Sequence, residues 1–177
     1  MIKNDFENLI RAVPDFPKPG ILFRDITPVL QDPAARAWVT AELLKPFAGT
    51  EINAVAGVEA RGFLFGMSLA DHLQVPFIPM RKSGKLPFRC IRESYALEYG
   101  TAEIEMHEDA LRPGQRVLIH DDLLATGGTC SAAARLVERL GGQVAGFSFV
   151  IALGFLPGRT LLQSAWPVPV HQVLDFQ

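Results

Sequence analysis

The sequence predicts an α/β fold in which a parallel sheet core is flanked by helices. Short apolar segments, typical of buried strands, alternate along the chain with segments of helical periodicity. The clearest apolar segments, residues 52–57 and 144–153, each contain a single polar side chain. Strands of this kind are covered on both faces, as in parallel sheets. With 177 residues, 49% of them hydrophobic and 20% charged, the chain is expected to form one globular domain.

The N-terminal part is predicted to hold two helices with a connector and a strand between them. In order, these are a helix over residues 2–13, a proline-rich connector over 14–20, a short strand or extended loop over 21–25 and a helix over 33–47. Pro14 ends the first helical pattern. Asp32 is placed to cap the second helix, because a proline follows at the first helical position.

The rest of the chain is predicted to alternate between strands and helices. Strands are expected at residues 52–57, 75–80, 101–106, 117–119, 144–153 and 168–174, and helices at 63–73 and 131–140. Two prolines in the segment 75–80 favour an edge strand or a strand end. Residues 81–100 have no clear periodicity, and Gly84 and Pro87 indicate a loop there.

Residues 116–130 carry the most informative motif. An apolar run leads to two adjacent acids, Asp121 and Asp122, which can accept hydrogen bonds from sugar hydroxyls. Two neighbouring carboxylates on a buried strand are costly unless they are paired, which favours a functional role. The small-residue turn that follows consists of Ala125, Thr126, Gly127, Gly128 and Thr129. Its backbone N–H groups, its hydroxyls and the following helix suit a phosphate, so the motif predicts a phosphoribosyl ligand.

Several other classes of protein lose support. The chain lacks the lysine-containing loop of nucleoside triphosphatases and the Gly-x-Gly-x-x-Gly loop of dinucleotide dehydrogenases. A net charge of −2 gives no support for binding to nucleic acid or to a membrane. Cys90 and Cys130 do not have the spacing of metal ligands, and the N-terminus is polar and contains an acid. We therefore expect a reduced, cytoplasmic protein without a metal site of its own.

Cations elsewhere in the sequence are candidates for the same anionic ligand. Arg61 precedes a predicted helix, where a second anion could bind, although such turns are common. Residues 81–92 contain five cations and no acid: Arg81, Lys82, Lys85, Arg89 and Arg92. This basic stretch fits either a solvated surface or a mobile loop that closes over the ligand. Glu98 at its end could be a surface residue or a general acid or base.

These segments together resemble the adenine phosphoribosyltransferases, within the type I phosphoribosyltransferase fold. The matching stretches are residues 14–17, 23–28, 57–66, 81–87, 94–100 and 121–129. The Asp-Asp loop is shared with the wider superfamily, whereas Phe-Arg-Asp-Ile-Thr-Pro and Leu-Glu-Tyr-Gly are specific for the adenine enzymes. The resemblance implies a Rossmann-like core in a single domain, residues 1–177, with a small hood that holds the adenine segment, about residues 1–30, and a flexible catalytic loop, residues 81–100.

The resemblance also implies a reaction in purine salvage. The 5-phosphoribosyl group of 5-phosphoribosyl 1-diphosphate would be transferred to adenine, giving AMP and diphosphate, with Mg²⁺ held mainly through the diphosphate of the substrate and a homodimer as the assembly. The alternatives are a transferase for another purine base and a non-catalytic regulator with the same fold. The segment 22–24 argues against another base. The mild acidity of the chain and the presence of Glu98 and Tyr99 argue against a regulator.

Individual roles follow from the resemblance in the same way. Glu98 would handle the proton on the adenine ring, and Tyr99 would complete the closed loop. Adenine would contact Leu22, Phe23 and Arg24. The diphosphate would contact Glu59, Ala60 and Arg61, and its charge would be balanced by Arg81, Lys82 and Lys85. The ribose diol would contact Asp121 and Asp122, and the 5-phosphate would contact Ala125 to Thr129. The Glu59–Ala60 peptide bond would be cis. His120 departs from the family pattern, in which an aliphatic residue is usual.

Overall fold

The structure, a computed structural model, describes residues 3–96 and 100–177. It contains one compact unit that ends at Glu42 and another that extends from Leu43 to Gln177. The domain boundaries inferred from the sequence stay predictions. None of the helices in the described ranges is long and apolar enough to cross a membrane.

The first unit consists of short helices and a two-stranded antiparallel sheet. Its elements are α1 (Lys3–Leu9), β1 (Arg11–Pro14), β2 (Leu22–Asp25), α2 (Thr27–Gln31) and α3 (Pro33–Leu44). The last two residues of α3 and the 3-10 turn after it (Lys45–Phe47) already belong to the second unit. The helix predicted over residues 2–13 is shorter than expected, because β1 pairs with β2 and this pairing uses the backbone groups that a longer helix would need. Asp32 caps α3 as predicted, since its Oδ1 accepts hydrogen bonds from the N–H groups of Ala34 at 2.8 Å and Ala35 at 3.2 Å.

The second unit is built on a mostly parallel sheet, as the sequence predicts. Its strands are β3 (Ala54–Val58), β4 (Phe77–Lys82), β5 (Cys90–Ala96), β6 (Thr101–His107), β7 (Arg116–Leu124), β8 (Gln143–Leu153) and β9 (Val170–Phe176). Their order across the sheet is β5-β6-β4-β3-β7-β8-β9. Neighbours from β4 to β9 are parallel, and β6 is antiparallel to both β4 and β5. β3 is buried along its whole length, as expected for a strand covered on both faces.

The strand β4 confirms one part of the expectation for the two prolines and corrects the other. Pro76 comes just before the first residue of β4, at a strand end, whereas β4 is not an edge strand: it lies between β6 and β3, and Pro79 is paired opposite Gly57. The reason is that β6 pairs only with Arg81 and Lys82 of β4. The part of β4 that carries Pro79 therefore has a partner on one side only, where a missing N–H is tolerated.

Three helices accompany the sheet: α4 (Gly62–Leu73), α5 (Gly128–Arg139) and α6 (Gly158–Ala165). α5 contributes small and aliphatic side chains to the hydrophobic core, among them Ala133 and Leu136, which are fully buried. It ends as predicted: Gly141 adopts a φ of +77°, and its N–H bonds to the carbonyl of Glu138 at 2.9 Å. The helix α6, which is short and begins directly after Pro157, was not predicted.

The stretch predicted to be a loop, residues 81–100, is in part a β-hairpin. β5 pairs with β6 from Cys90 opposite His107 to Ala96 opposite Thr101. Ion pairs attach this hairpin to α5, because Glu93 contacts Arg135 at 2.6 Å and Arg139 at 3.3 Å. The strand was missed because residues 81–100 show no clear periodicity and the centre of β5, Arg92 to Ser94, is polar. The flexibility expected of this stretch stays a prediction.

Candidate active site

The site forms where the carboxyl ends of β3 and β7 lie side by side. These strands are parallel neighbours, with Gly57 opposite His120, so the residues that follow them are brought together. The guanidinium Nε of Arg61 lies 2.8 Å from Oδ2 of Asp122. Two features that are far apart in the sequence, the Arg61 turn and the acid pair, are therefore one structural unit. Ligands of open parallel sheets bind at such a position.

The acid pair lies within β7, which continues for two residues to Leu124. Asp122 is buried and Asp121 is half-buried, and Oδ1 of Asp121 accepts a hydrogen bond from the N–H of Asp122 at 2.8 Å. Burial raises the pKa of both carboxyl groups, and the charge of Asp122 raises that of Asp121 further. The Arg61 guanidinium partly offsets the effect on Asp122. The pair can thus accept hydrogen bonds from a diol beside a compensating cation.

The turn between β7 and α5 encloses a cavity of about 70 Å³. Its lining is formed by Asp121, Leu123, Leu124, Ala125, Thr126, Gly127, Thr129 and Cys130. Gly127 adopts a φ of +82°, which a residue with a side chain rarely does, and α5 begins at the next residue. The first N–H groups of a helix have no partner within the helix, so this cavity is suited to an anion such as phosphate.

The turn that holds Arg61 is fixed to the end of β4. The peptide bond between Glu59 and Ala60 is cis, as the resemblance implied. The carboxylate of Glu59 accepts hydrogen bonds from Nε of Arg81 at 3.0 Å and from the backbone N–H of Lys82 at 3.1 Å. Three predicted residues, Glu59, Arg61 and Arg81, are therefore brought together around one turn.

The five cations of residues 81–92 separate into two groups. Arg81 pairs with Glu59, Arg89 with Glu108, and Arg92 with Glu105. Within the described ranges, no ion pair involves Lys82 or Lys85, which leaves both ammonium groups available for an anionic ligand. The acids that neutralise Arg89 and Arg92 come from β6 and the residue after it, so the sequence of the basic stretch alone did not reveal them.

Glu105 is a residue that the sequence did not single out. Its carboxylate is buried, and Oε1 accepts hydrogen bonds at 2.9 Å from the N–H groups of both Lys85 and Leu86. Burial alone would raise the pKa of Glu105. Hydrogen bonds from the backbone of Leu86, Gly84 and Lys85 and from the side chain of Arg92 instead lower this pKa to about 2. The carboxylate therefore stays charged and fastens the basic stretch to β6.

The predicted adenine segment lies on β2. Phe23 and Phe16 form an edge-to-face ring pair with centroids 5.1 Å apart. With Val13 and Asp25, these rings line a cavity of about 180 Å³. Leu22 is half-exposed and, like Arg24, is not part of this lining. An apolar cavity with a carboxylate at its rim suits a flat heterocyclic base.

Glu98 and Tyr99, the predicted proton-transfer residue and its neighbour, lie outside the described residues. The described segments adjoin them on both sides, since β5 ends at Ala96 and β6 begins at Thr101. Cys130 is buried, and this burial raises the pKa of its thiol well above the usual range, with a further increase from the charges of the acid pair.

Fold and site together define the class of protein as a phosphoribosyl transferase. The family described as the phosphoribosyl transferase domain matches residues 34–168. An adenine phosphoribosyltransferase of Nitrosococcus oceani is 57% identical over 167 residues, which are 94% of this chain and 96% of the relative. The chain belongs to the adenine phosphoribosyltransferases. The resemblance inferred from the sequence is thus confirmed.

Solved structures agree with this assignment. The crystal structure of adenine phosphoribosyltransferase from Rhodothermus marinus is 54% identical and has a TM-score of 0.93, with 98% of each chain covered. The enzyme from Saccharomyces cerevisiae, complexed with an imino-altritol bisphosphate and adenine, is 37% identical with a TM-score of 0.89, covering 97% of this chain and 98% of the other. Both comparisons extend over nearly the whole chain.

Proposed function

We infer that this protein transfers the 5-phosphoribosyl group from 5-phosphoribosyl 1-diphosphate to adenine, giving AMP and diphosphate in purine salvage. The observation that carries this inference is the contact of Arg61 with Asp122 beside the loop of residues 125–129. This arrangement offers a diol acceptor between two anion-binding turns, which matches a sugar that has a phosphate at one end and a diphosphate at the other. The family assignment supplies the base, adenine.

The ribose 5-phosphate would be held by the β7–α5 turn. Residues Ala125 to Thr129 offer backbone N–H groups and two hydroxyls around the cavity, and Asp121 and Asp122 lie beside it to accept hydrogen bonds from the ribose diol. When the anomeric carbon loses its diphosphate, positive charge develops on the ribose. Carboxylates next to the sugar stabilise that charge electrostatically, so none of the described side chains has to act as a covalent nucleophile.

The leaving diphosphate would lie on the cationic side, against the turn of Glu59, Ala60 and Arg61. Arg81, which is already bonded to Glu59, and the ammonium groups of Lys82 and Lys85 would balance its charge. The described residues contain no group of three or more His, Cys, Asp or Glu side chains arranged to hold a metal ion. We place the Mg²⁺ ion on the diphosphate of the substrate, with water as its further ligand. There the ion neutralises charge on the leaving group.

Adenine would bind through the segment of Leu22, Phe23 and Arg24. Support comes from the apolar cavity that Phe23 lines with Phe16. Glu98 is proposed to handle the proton on the adenine ring, with Tyr99 beside it in the closed loop. A carboxylate that is shielded from water when a loop closes is suited to such proton transfer.

We further propose a homodimer that acts in the cytoplasm, with these small molecules as its partners rather than nucleic acid or membranes. Leu64 and Met67 are both nearly half-exposed and lie three residues apart, hence on one face of α4, which suits contact with a second copy. Cys90 and Cys130 are free thiols, as expected in a reducing compartment. Light scattering measures the assembly directly, and a monomer at micromolar concentration would contradict the dimer.

The activity is tested by incubating the purified protein with adenine, 5-phosphoribosyl 1-diphosphate and Mg²⁺, and by measuring nucleotides with liquid chromatography. AMP is expected, and its absence above a control without enzyme would refute the assignment. Parallel reactions with hypoxanthine and guanine test the choice of base. A faster reaction with either of them would overturn the proposed specificity.

A further inference from the structure

Gly158, the first residue of α6, contacts the 5-phosphate loop (residues 125–129) from outside the substrate cavity. Its N–H donates a hydrogen bond to the carbonyl of Ala125 at 3.2 Å, and Gly158 is buried. The two segments are distant in the sequence, and neither the motif at residues 116–130 nor the family resemblance pointed to Gly158. The start of α6 therefore supports the loop without lining its cavity.

The contact leaves no room for a side chain. A Cβ added to Gly158 would lie 2.2 Å from the carbonyl oxygen of Ala125 and 3.0 Å from the backbone nitrogen of Gly127. The crowding is reciprocal, because a Cβ on Gly127 would lie 3.0 Å from Cα of Gly158. Cδ1 of the Leu124 side chain would also lie 2.9 Å away, but the backbone atoms of Ala125 and Gly127 cannot rotate away as a side chain would. An alanine at position 158 must displace either the loop or the start of α6.

We propose that Gly158 is a positioning residue for the 5-phosphate: it sets the place of the loop whose N–H groups hold that phosphate. The proposal rests on the proposed function and adds to it a residue that does not touch the substrate. Hydrogen bonds to an anion depend on both distance and direction, so a small displacement of the loop weakens them. The diphosphate turn at Glu59–Arg61 is on another strand connection and is bonded to β4, so we expect a displacement at Gly158 to affect it less than the 5-phosphate loop.

The substitution Gly158→Ala separates the two anion sites. In the reverse reaction, AMP presents the 5-phosphate and diphosphate occupies the other site. We expect the KM for AMP to rise about 10- to 100-fold, the range that misplacement of a binding group by about 1 Å can produce, while the KM for diphosphate changes less than about twofold. In the forward reaction, the KM for 5-phosphoribosyl 1-diphosphate rises and the KM for adenine does not.

Gly146→Ala is the matched control. A Cβ on Gly146 would lie 2.4 Å from Cε1 of Phe47 and 3.0 Å from the carbonyl oxygen of Pro169, so it is similarly crowded. Gly146 is in the first half of β8, opposite Leu118 rather than the acid pair. We expect this variant to lower the Tm without changing either KM. Equal KM values for AMP in Gly158→Ala and the wild type would overturn the proposal, as would equal increases in both KM values.

A measurement on the wild-type protein covers the case in which Gly158→Ala does not fold. The amide of Gly158 is bonded to the loop, so ribose 5-phosphate should slow its hydrogen exchange, whereas diphosphate alone should not. An unchanged exchange rate with saturating ribose 5-phosphate would overturn the proposal. Failure of the proposed function would be seen separately, as a wild-type protein that forms no AMP.

Discussion

Lowering the pH should destabilise this protein through His120, a buried imidazole at the centre of the sheet. The side chain is fully buried, with Ser148 opposite on β8 and Gly66 of α4 nearby. Among the described residues, neither ring nitrogen has a hydrogen-bond partner. Desolvation lowers the pKa of His120 from 6.5 to about 3, and the backbone of Ser148 offsets only part of this effect.

The sign and size of the effect follow from proton linkage. The unfolded chain takes up a proton below about pH 6.5, whereas the folded protein does not until about pH 3. Stability contributed by the neutral imidazole is therefore present above pH 6.5 and is lost as the pH falls. Between pH 7.5 and pH 5.0, this single group should reduce the free energy of unfolding by about 2 kcal/mol. The figure changes little if the folded pKa is one unit higher.

Urea denaturation at both pH values measures the loss, with protein concentration held constant because a dimer would dissociate on unfolding. The comparison is His120→Val, which removes both nitrogens without adding volume to the strand. Other groups titrate too: the pKa of neighbouring Asp121 is raised, so its effect has the opposite sign. Taking the difference between wild type and variant removes most of such shared contributions.

We expect the wild type to lose about 2 kcal/mol more than His120→Val between pH 7.5 and pH 5.0. Equal losses, within about 0.5 kcal/mol, would show that the imidazole is either protonated in the folded state or solvated. The reasoning from burial would then be wrong.

Three further predictions concern the site. Glu98→Gln should lower kcat about 100-fold with little change in substrate KM, measured by AMP formation, and an unchanged kcat would remove Glu98 from the mechanism. Arg61→Ala should lower kcat/KM for 5-phosphoribosyl 1-diphosphate at least about 100-fold, because it removes a diphosphate contact and leaves Asp122 without this cation. Steady-state kinetics measure this loss, and a loss below about tenfold would contradict the prediction. Glu105→Gln should reduce the free energy of unfolding, measured in urea, by about 1 to 3 kcal/mol. The exposed control Glu108→Gln should reduce it by less than about 0.5 kcal/mol. Equal losses would disprove the role of Glu105 in fastening the basic stretch to β6.

The parts of the site that the sequence predicts are contiguous in the chain. The acid pair and the loop of residues 125–129 are readable because strand, carboxylates, turn and helix follow one another within a few residues. Their meeting with Arg61 required only the rule that the carboxyl ends of parallel strands share one edge of the sheet. Local pattern and general topology were sufficient for this half of the site.

The supporting residues could not be predicted because their partners are far away in sequence. Nothing near Glu105 indicates that the backbone at Lys85 and Leu86 will fold onto it. The same holds for Glu93: residues 81–100 show no clear periodicity, and nothing in the local sequence indicates that Arg135 lies beside it. β-Strands of this type are stabilised by pairing and packing rather than by intrinsic preference, so tertiary contacts decide their existence.

The attachment of the β5–β6 hairpin to α5 has a consequence for protein engineering. The helix that begins at the phosphate loop also carries Arg135 and Arg139, which hold Glu93. An exchange of this hairpin between relatives would therefore have to include the matching arginines, or the new hairpin would lose its attachment. The pairing from Cys90 opposite His107 to Ala96 opposite Thr101 would also have to be preserved, because this register places Glu93 against the two arginines.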